Sequence, residues 1–253
     1  MIEFRDVSLS YGYNVVLDKL NFKAQFHEKI AILGASGEGK TTILRLILGL
    51  VRPDEGKIFI DGQDITELSE SELRDVRMKF SIVFQEGALF DSMNVYENVA
   101  FCLREYTRYP EDKIEKRVRE LLNRLGIEDA VYLMPEELSG GMQRRVAIAR
   151  SLAGCDPEMM LYDEATTGLD PLTADNICNL IKELSTGEPP DRMGFIIVTH
   201  KVTDAAKVAG RFIYIRKGNI IFDGDLVSLK KTEDAELRSF INELYFEYNE
   251  TGR

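Results

Sequence analysis

Positive charge is the first thing this 253-residue chain is short of: 32 Lys and Arg face 43 Asp and Glu, a formal net charge of −11. That balance argues against free DNA or RNA as a ligand, because nucleic-acid binders neutralise phosphates with a basic face; it reads as a solvated acidic surface. Cysteine is scarce as well. Cys102, Cys155 and Cys178 are odd in number and widely spaced. With no C-x-x-C pair they exclude a zinc ribbon or dithiol redox centre, and they suggest small core residues in a reducing compartment. No apolar run approaches the roughly 20 residues that span a bilayer. Met1 is followed at once by Glu3, Arg5 and Asp6, not by the apolar stretch of a signal segment. Internal repeats and low-complexity tails are missing too. The expectation is a soluble chain, long enough to bury a full core, that acts at a membrane only through a partner.

What is present is concentrated in one run, Gly34 to Thr42, GASGEGKTT. Gly34, Gly39, Lys40 and Thr41 stand at Walker A spacing. In that pattern backbone N–H groups wrap phosphates, Lys40 meets the β/γ oxygens and Thr41 ligates Mg²⁺. Ser36, Gly37 and Thr42 belong to the same cradle. A short apolar run, Lys29 to Leu33, precedes the loop, and Thr42 to Leu50 follows it with the spacing of a buried helix. Bound phosphates would sit on a helix N-terminus, where unpaired N–H groups and the dipole favour anions. Glu38, an acid inside the loop, is tolerable only if its side chain points outward.

Around the loop the chain reads as α/β. Ile2 to Ser10 and Val15 to Phe26 alternate, and Lys57 to Ile60 leads into an Asp61-Gly62 turn, which together predict an antiparallel β-layer. From Ser69 to Ala153 the pattern is helical; Ile114, Val118, Leu121, Leu122 and Leu125 share one face of a charged segment. Met159 to Tyr162 and Phe195 to Val198 are short apolar strands separated by a helix over Pro171 to Leu184, an alternation that implies a mostly parallel sheet. Thr186 to Arg192, with two prolines, reads as a surface loop. His27 falls inside a strand and is read as structural.

About a hundred residues beyond the phosphate loop stands Leu138 to Gln143 (LSGGMQ), followed by Arg144 to Leu152 (RRVAIARSL). Ser139 is a natural N-cap, and Gly140 and Gly141 permit close backbone approach, so a second helix terminus suited to anions starts here. Alone, the run also reads as an ordinary capped helix. Together with the upstream loop it resembles the signature of ABC ATPases, and the resemblance covers the chain from about Ile2 to Asp225. It implies ATP and Mg²⁺ as cofactors, and an ABC-type nucleotide-binding fold with a RecA-like, mostly parallel sheet core, an antiparallel β-layer and a helical subdomain. The ATPase domain would be residues 1–232, with the subdomain inserted at about 87–153, and residues 233–253 would form a C-terminal helix and tail. Met160 to Glu164 matches Walker B: Asp163 would hold Mg²⁺ through water or Thr41, and Glu164 would polarise the attacking water. Gln85 fits the residue that senses Mg²⁺ and that water, and His200 the switch histidine on the γ-phosphate. Asp170, in Gly168-Leu169-Asp170, would bridge to the opposite subunit. Tyr11 stands where the family stacks an aromatic ring on adenine; Tyr13 is the weaker candidate. Ser139, Gly140 and Gly141 would reach the ATP held by the other subunit of a homodimer. Two departures stand out: Ala165 replaces the usual proline, and Lys201 replaces the aspartate often found after the histidine.

The segment from Glu86 to Glu105, with its GALF and NVYENVAF strings and the LRE after them, is similar to the Mla-type ATPases, which move phospholipid between the membranes of a Gram-negative envelope. That implies a membrane permease docked near residues 85–101, an Mce-domain lipid-binding partner, a small regulator, and a chain lying on the cytoplasmic face of the inner membrane. A small-solute importer for amino acids or ions, or a cell-wall signalling ABC subunit, would use the same motor. Leu237, Phe240, Ile241, Leu244 and Tyr248 share one face of a helix over Glu233 to Tyr248. This face would dock on its own domain, or alternatively on a second subunit or small regulator, and Asn249 to Arg253 would be a tail.

Overall fold

Alternation in the first two apolar stretches produces a hairpin. β1 (Ile2–Tyr11) pairs antiparallel with β2 (Asn14–Ala24). Phe4 lies opposite Phe22, their rings edge to face with centroids 5.8 Å apart. The computed structural model describes residues 1–85, 87–154, 157–186 and 193–242. β3 (Lys29–Leu33) and α1 (Lys40–Ile47) flank the glycine-rich loop. β4 (Glu55–Ile60) covers the other edge of β1. Asp61 and Gly62, both at positive φ (50° and 80°), then turn the chain into β5 (Gln63–Asp64), the conformation that tight hairpins favour. The resulting layer has the order β2-β1-β4-β5.

α2 (Glu70–Arg77) starts at a Ser69/Glu72 capping box and leads to β6 (Phe80–Val83). Three helices follow: α3 (Val95–Tyr106), α4 (Glu111–Arg124) and α5 (Gly140–Ala153). Strands and helices then alternate through β7 (Met159–Asp163), α6 (Pro171–Leu184), β8 (Gly194–Thr199), α7 (Val202–Val208) and β9 (Arg211–Arg216). β10 (Asn219–Gly224), α8 (Leu226–Lys230) and α9 (Ala235–Phe240) complete the described chain. The second sheet runs β10-β9-β3-β8-β7-β6, parallel throughout except for the β9–β10 hairpin.

The interiors of its central strands β3, β7 and β8 lack charged residues because both faces are covered. Ile30, Ile32, Leu161, Ile196 and Val198 point into a core shared with α1 and the β-layer; Ala31, Leu33, Met160, Tyr162 and Ile197 point into a second core under α3 to α7. The two-residue period of the strand thus sorts one apolar run between two cores. α9 closes over the second: Leu237 and Ile241 are fully buried, and the ring of Phe240 lies 5.1 Å from that of Tyr214. Contact with its own fold is therefore what the described part of the C-terminal helix makes.

Three expectations are corrected. The helical stretch from Ser69 is interrupted by β6, which adds to the edge of the parallel sheet beside β7. His27 lies in a turn, not a strand: β2 ends at Ala24, and the Glu28 N–H donates to the Gln25 carbonyl at 3.0 Å to reverse the chain before β3. The same turn ends the second alternating stretch short of Phe26. Cys102 is half-buried; Cys178 is buried, and burial pushes its thiol up to about 12, which makes it inert. Cys155, Glu86, most of the Pro-containing loop, Leu244, Tyr248 and the tail lie outside the described residues. Among the described residues no helix is long and apolar enough to cross a membrane.

Candidate active site

Because β3 pairs with both β8 and β9, the loop after it emerges at the C-terminal edge of the parallel sheet, where open α/β sheets bind ligands. The loop is tightly seated. A Cβ on Gly34 would stand 2.7 Å from the Ile215 carbonyl oxygen, and one on Gly39 2.8 Å from Val16 Cγ1, with φ at +86° besides. Ser36 and Gly37 are exposed at its crest, whereas Thr42 is buried. Gly39 is the N-cap of α1 and offers no side chain to cap it, so the first-turn N–H groups are left for an anion. Glu38 is turned away from the loop crest: its carboxylate accepts the Lys217 backbone N–H.

Lys40 is nearly buried, and its Nζ donates to the Gly34 and Ala35 carbonyls, each at 2.9 Å. Burial pulls this ammonium below the ordinary lysine value, opposed by the charges of Glu164, Asp163 and Glu38. At the end of β7, Asp163 Oδ1 accepts the Thr41 hydroxyl at 2.8 Å. Burial pushes the Asp163 carboxyl up against the Thr41 hydrogen bond, and the neighbouring Glu164 charge adds to the rise. Burial thus disfavours the charge of both the Lys40 ammonium and the Asp163 carboxylate, a cost that phosphate and a metal ion would relieve together. The donors also fit a magnesium-type ion. Two hard oxygens converge, and among the described residues no group of three or more His, Cys, Asp or Glu side chains could hold a metal. Mg²⁺ is typically held by one or two protein oxygens, with substrate phosphates and water completing its shell.

Glu164 is held more firmly than its place in the sequence suggests. It has φ of +50°, a left-handed conformation that costs a non-glycine residue roughly 1–2 kcal/mol. Its N–H donates to the Val198 carbonyl at 2.9 Å. Oε2 accepts the Thr167 hydroxyl at 2.8 Å and the Thr199 hydroxyl at 3.4 Å, and lies 3.0 Å from His200 Nδ1; Oε1 is 3.9 Å from Lys40 Nζ. The His200 side chain is 47 % exposed against 12 % for Glu164, so the histidine faces outward from a sheltered carboxylate. Ala165 is fully buried, and Lys201 Nζ donates to the Thr166 carbonyl at 3.2 Å, tying the histidine's segment to the one after Glu164.

The remaining predicted residues are placed apart. Gln85 is exposed just beyond β6. Tyr11 is half-exposed and Tyr13 fully exposed at the β1–β2 turn. Ser139 caps α5 by accepting the Met142 N–H at 3.3 Å, with Gly140 exposed beside it. A Cβ on Gly140 would approach Leu169 Cδ2 at 3.3 Å, and Gly141 abuts Thr173. Asp170 caps α6 through the Thr173 N–H at 3.0 Å. Among the described residues no hydrogen bond or ion pair joins Ser139, Gly140 or Gly141 to the Lys40 cluster. Sequence reasoning passed over Thr167 and Thr199, whose only signal is a hydroxyl residue three after Glu164 and one before His200.

A glycine-rich loop between a parallel strand and a buried helix, with a lysine folded into it and two carboxylates at the end of β7, defines a P-loop nucleotide-binding protein. The ABC transporter family model matches residues 17–167. The intermembrane phospholipid transport system ATP-binding protein MlaF of Haemophilus influenzae is 39 % identical over 241 residues, covering 95 % of this chain and 90 % of that one. The methionine import ATP-binding protein MetN 2 of Bacillus cereus is 37 % identical over 252 residues, covering 96 % of this chain but 73 % of the other. Among solved structures, the dimeric post-hydrolysis state of the ATP-binding cassette MJ0796 bound to ADP and Pi superposes with a TM-score of 0.80 at 32 % identity, over 89 % of this chain and 99 % of that one. The chain belongs to the ABC transporter family. It is an ATP-binding, ATP-hydrolysing subunit of that family, and it has the fold expected from its motifs.

Proposed function

We propose that the chain drives phospholipid transport across a Gram-negative envelope as a homodimer lying on the cytoplasmic face of the inner membrane. The observation that carries the ATPase part is the Lys40–Glu164–His200 cluster at the mouth of an uncapped helix. The lipid part rests on the near end-to-end likeness to the phospholipid-transport protein. The likeness to the methionine importer leaves over a quarter of that protein unmatched.

In this reading Gly34, Ser36, Gly37, Gly39 and Thr42 build the phosphate cradle, and Lys40 turns an N–H that is not engaged by the loop carbonyls onto a phosphate oxygen. When bound, Mg²⁺ would neutralise phosphate charge, with Thr41 and Asp163 as its oxygen ligands and Gln85 facing its water. Glu164 orients and deprotonates the attacking water. His200, fixed by Glu164, contacts the γ-phosphate. Tyr11 stacks on the adenine. Ser139, Gly140 and Gly141 complete the site of the partner subunit, and Asp170 bridges between subunits. ATP joins the subunits, and hydrolysis lets them part. The groove of about 710 Å³ beside β6 and α3, lined by Arg74, Phe84, Phe90, Phe101, Tyr106 and Arg150, receives the permease. An Mce-domain lipid carrier and a small regulator complete the assembly.

Glu164→Gln is the test of the chemistry: turnover falls by about 10²–10⁴-fold with ATP binding retained, and near-normal turnover removes Glu164 from its role. Purification of the tagged chain with its co-encoded proteins, followed by mass spectrometry, tests the cargo. Bound phospholipid with an Mce-domain protein is expected; an amino-acid permease without lipid would overturn the substrate and leave the ATPase standing.

A further inference from the structure

Two arginines of α5 do something that neither the phosphate chemistry nor helix packing requires. Arg144 is 6 % exposed, and its Nη1 donates to the Phe84 carbonyl at 2.5 Å. Arg150, six residues and about 9 Å further along the helix, donates from Nη1 to the Ala88 carbonyl at 2.7 Å and from Nη2 to the Gly87 carbonyl at 3.1 Å. Its guanidinium also lies over the Phe90 ring, 5.4 Å from the centroid. The carbonyls on both sides of Gln85 are thus gathered by one helix. That helix is the one whose first residues are the capped Ser139-Gly140-Gly141 terminus.

The arrangement is costly. Burial disfavours the charge of both guanidiniums, and Arg144 Nε finds no hydrogen-bond partner. Charge-assisted bonds to carbonyls offset part of that cost. Gly87 and Ala88 both sit at positive φ, 72° and 48°, so consecutive carbonyls turn toward the same side, where Arg150 takes both. The far end of the segment is pinned as well: buried Asn98 accepts the Phe90 N–H at 2.8 Å and donates to the Phe90 carbonyl at 3.1 Å.

We infer that Arg144 and Arg150 are positioning residues that fix the backbone on both sides of Gln85 from within α5, and so set where the Gln85 side chain stands for turnover. The inference rests on the ATPase reading of the site given above. Arg150 holds the Gln85 segment by two carbonyls and also lines the groove beside β6.

The test uses the full chain at saturating Mg-ATP, with kcat, KM, unfolding temperature and amide hydrogen exchange at Gly87 measured side by side. Arg150→Met is expected to lower kcat about tenfold by misplacing Gln85, to leave KM within about twofold, and to speed exchange at Gly87 while the unfolding temperature holds. A residue that merely packs would lower stability and leave kcat intact in the folded fraction. Wild-type kcat in folded Arg150→Met, or a parallel rise in KM, overturns the inference. If Arg150→Met does not fold, Arg150→Gln keeps a polar amide able to reach one of the two carbonyls, and the same criteria apply. Glu164→Gln assayed in parallel separates the two failures. Slow turnover there with unchanged Arg150→Met sinks the positioning role alone, and fast turnover there sinks the underlying site.

Discussion

Glycine stands at the start of both α1, as the N-cap Gly39, and α5, as its first residue Gly140, yet the surroundings of the two differ. The first turn of α1 is uncapped and enclosed by its own chain: Lys40 folds back on Gly34 and Ala35, Thr41 meets Asp163, and Glu164 with His200 closes the side. The first turn of α5 is capped by Ser139, carries no charged residue and is exposed at Gly140. A helix terminus of this second kind has little use for an anion alone, since a capped N-terminus supplies few free N–H groups and no counter-charge. In the proposed dimer one chain would supply two unequal halves of a site, the groups missing at α5 being those assembled at α1.

The largest effect should come from removing the cation of the complete half. Lys40→Ala is expected to cut ATP turnover by on the order of 10³-fold and to weaken nucleotide binding, measured by calorimetry and phosphate release; a Lys40→Ala chain that turns over normally would erase the contrast. Ser139→Ala acts on the other half. It costs the helix cap about 0.5–2 kcal/mol and should depress turnover while the chain alone still binds ATP. Mixing the two inactive variants sharpens the comparison, because a mixed dimer contains one site with an intact Lys40 and an intact Ser139. Recovered activity in the mixture is expected; two inactive populations that stay inactive together would mean each chain completes its own site.

Asp163→Asn probes the tension in the α1 half. Burial raises the Asp163 carboxyl above its unfolded value, so the charged form opposes folding once the pH rises through the folded value, and that penalty is absent below the unfolded one. At neutral pH the asparagine chain should therefore melt at a higher temperature than wild type while losing Mg²⁺-dependent turnover; a lower melting temperature would contradict this account of the burial. The smallest effect is expected far from either terminus. Asp234 caps α9 through the Leu237 N–H at 2.8 Å and pairs with both terminal nitrogens of Arg216 at 3.0 Å. Asp234→Ala should loosen α9, visible as faster exchange at Leu237, and leave ATP turnover unchanged.

The α1 half was legible in the sequence because its parts are contiguous or sit at strand ends with distinctive chemistry: Gly34 to Thr42, Asp163-Glu164, and His200. What holds Glu164 was not, since Thr167 and Thr199 are ordinary hydroxyl residues until the β7–β8 pairing brings them together. β6 was hidden for a related reason. Three apolar residues and a serine fit a strand or a helix equally well, and only the parallel ladder of β6 with β7 decides. Arg144 and Arg150 carried no signal of what they hold, because a sequence does not disclose that backbone carbonyls sixty or more residues away will be waiting for them. Leu237 and Ile241 were correctly assigned to one buried face, since helical spacing alone carries that information.

The backbone at Glu164 has a consequence for heredity. With φ at +50°, glycine would occupy the position at lower conformational cost. A screen of random variants scored only for heat resistance should therefore enrich glycine codons at 164 and deliver sturdy chains that no longer turn over ATP. Populations scored for growth should purge the same codons. One dihedral angle sets these two selections against each other.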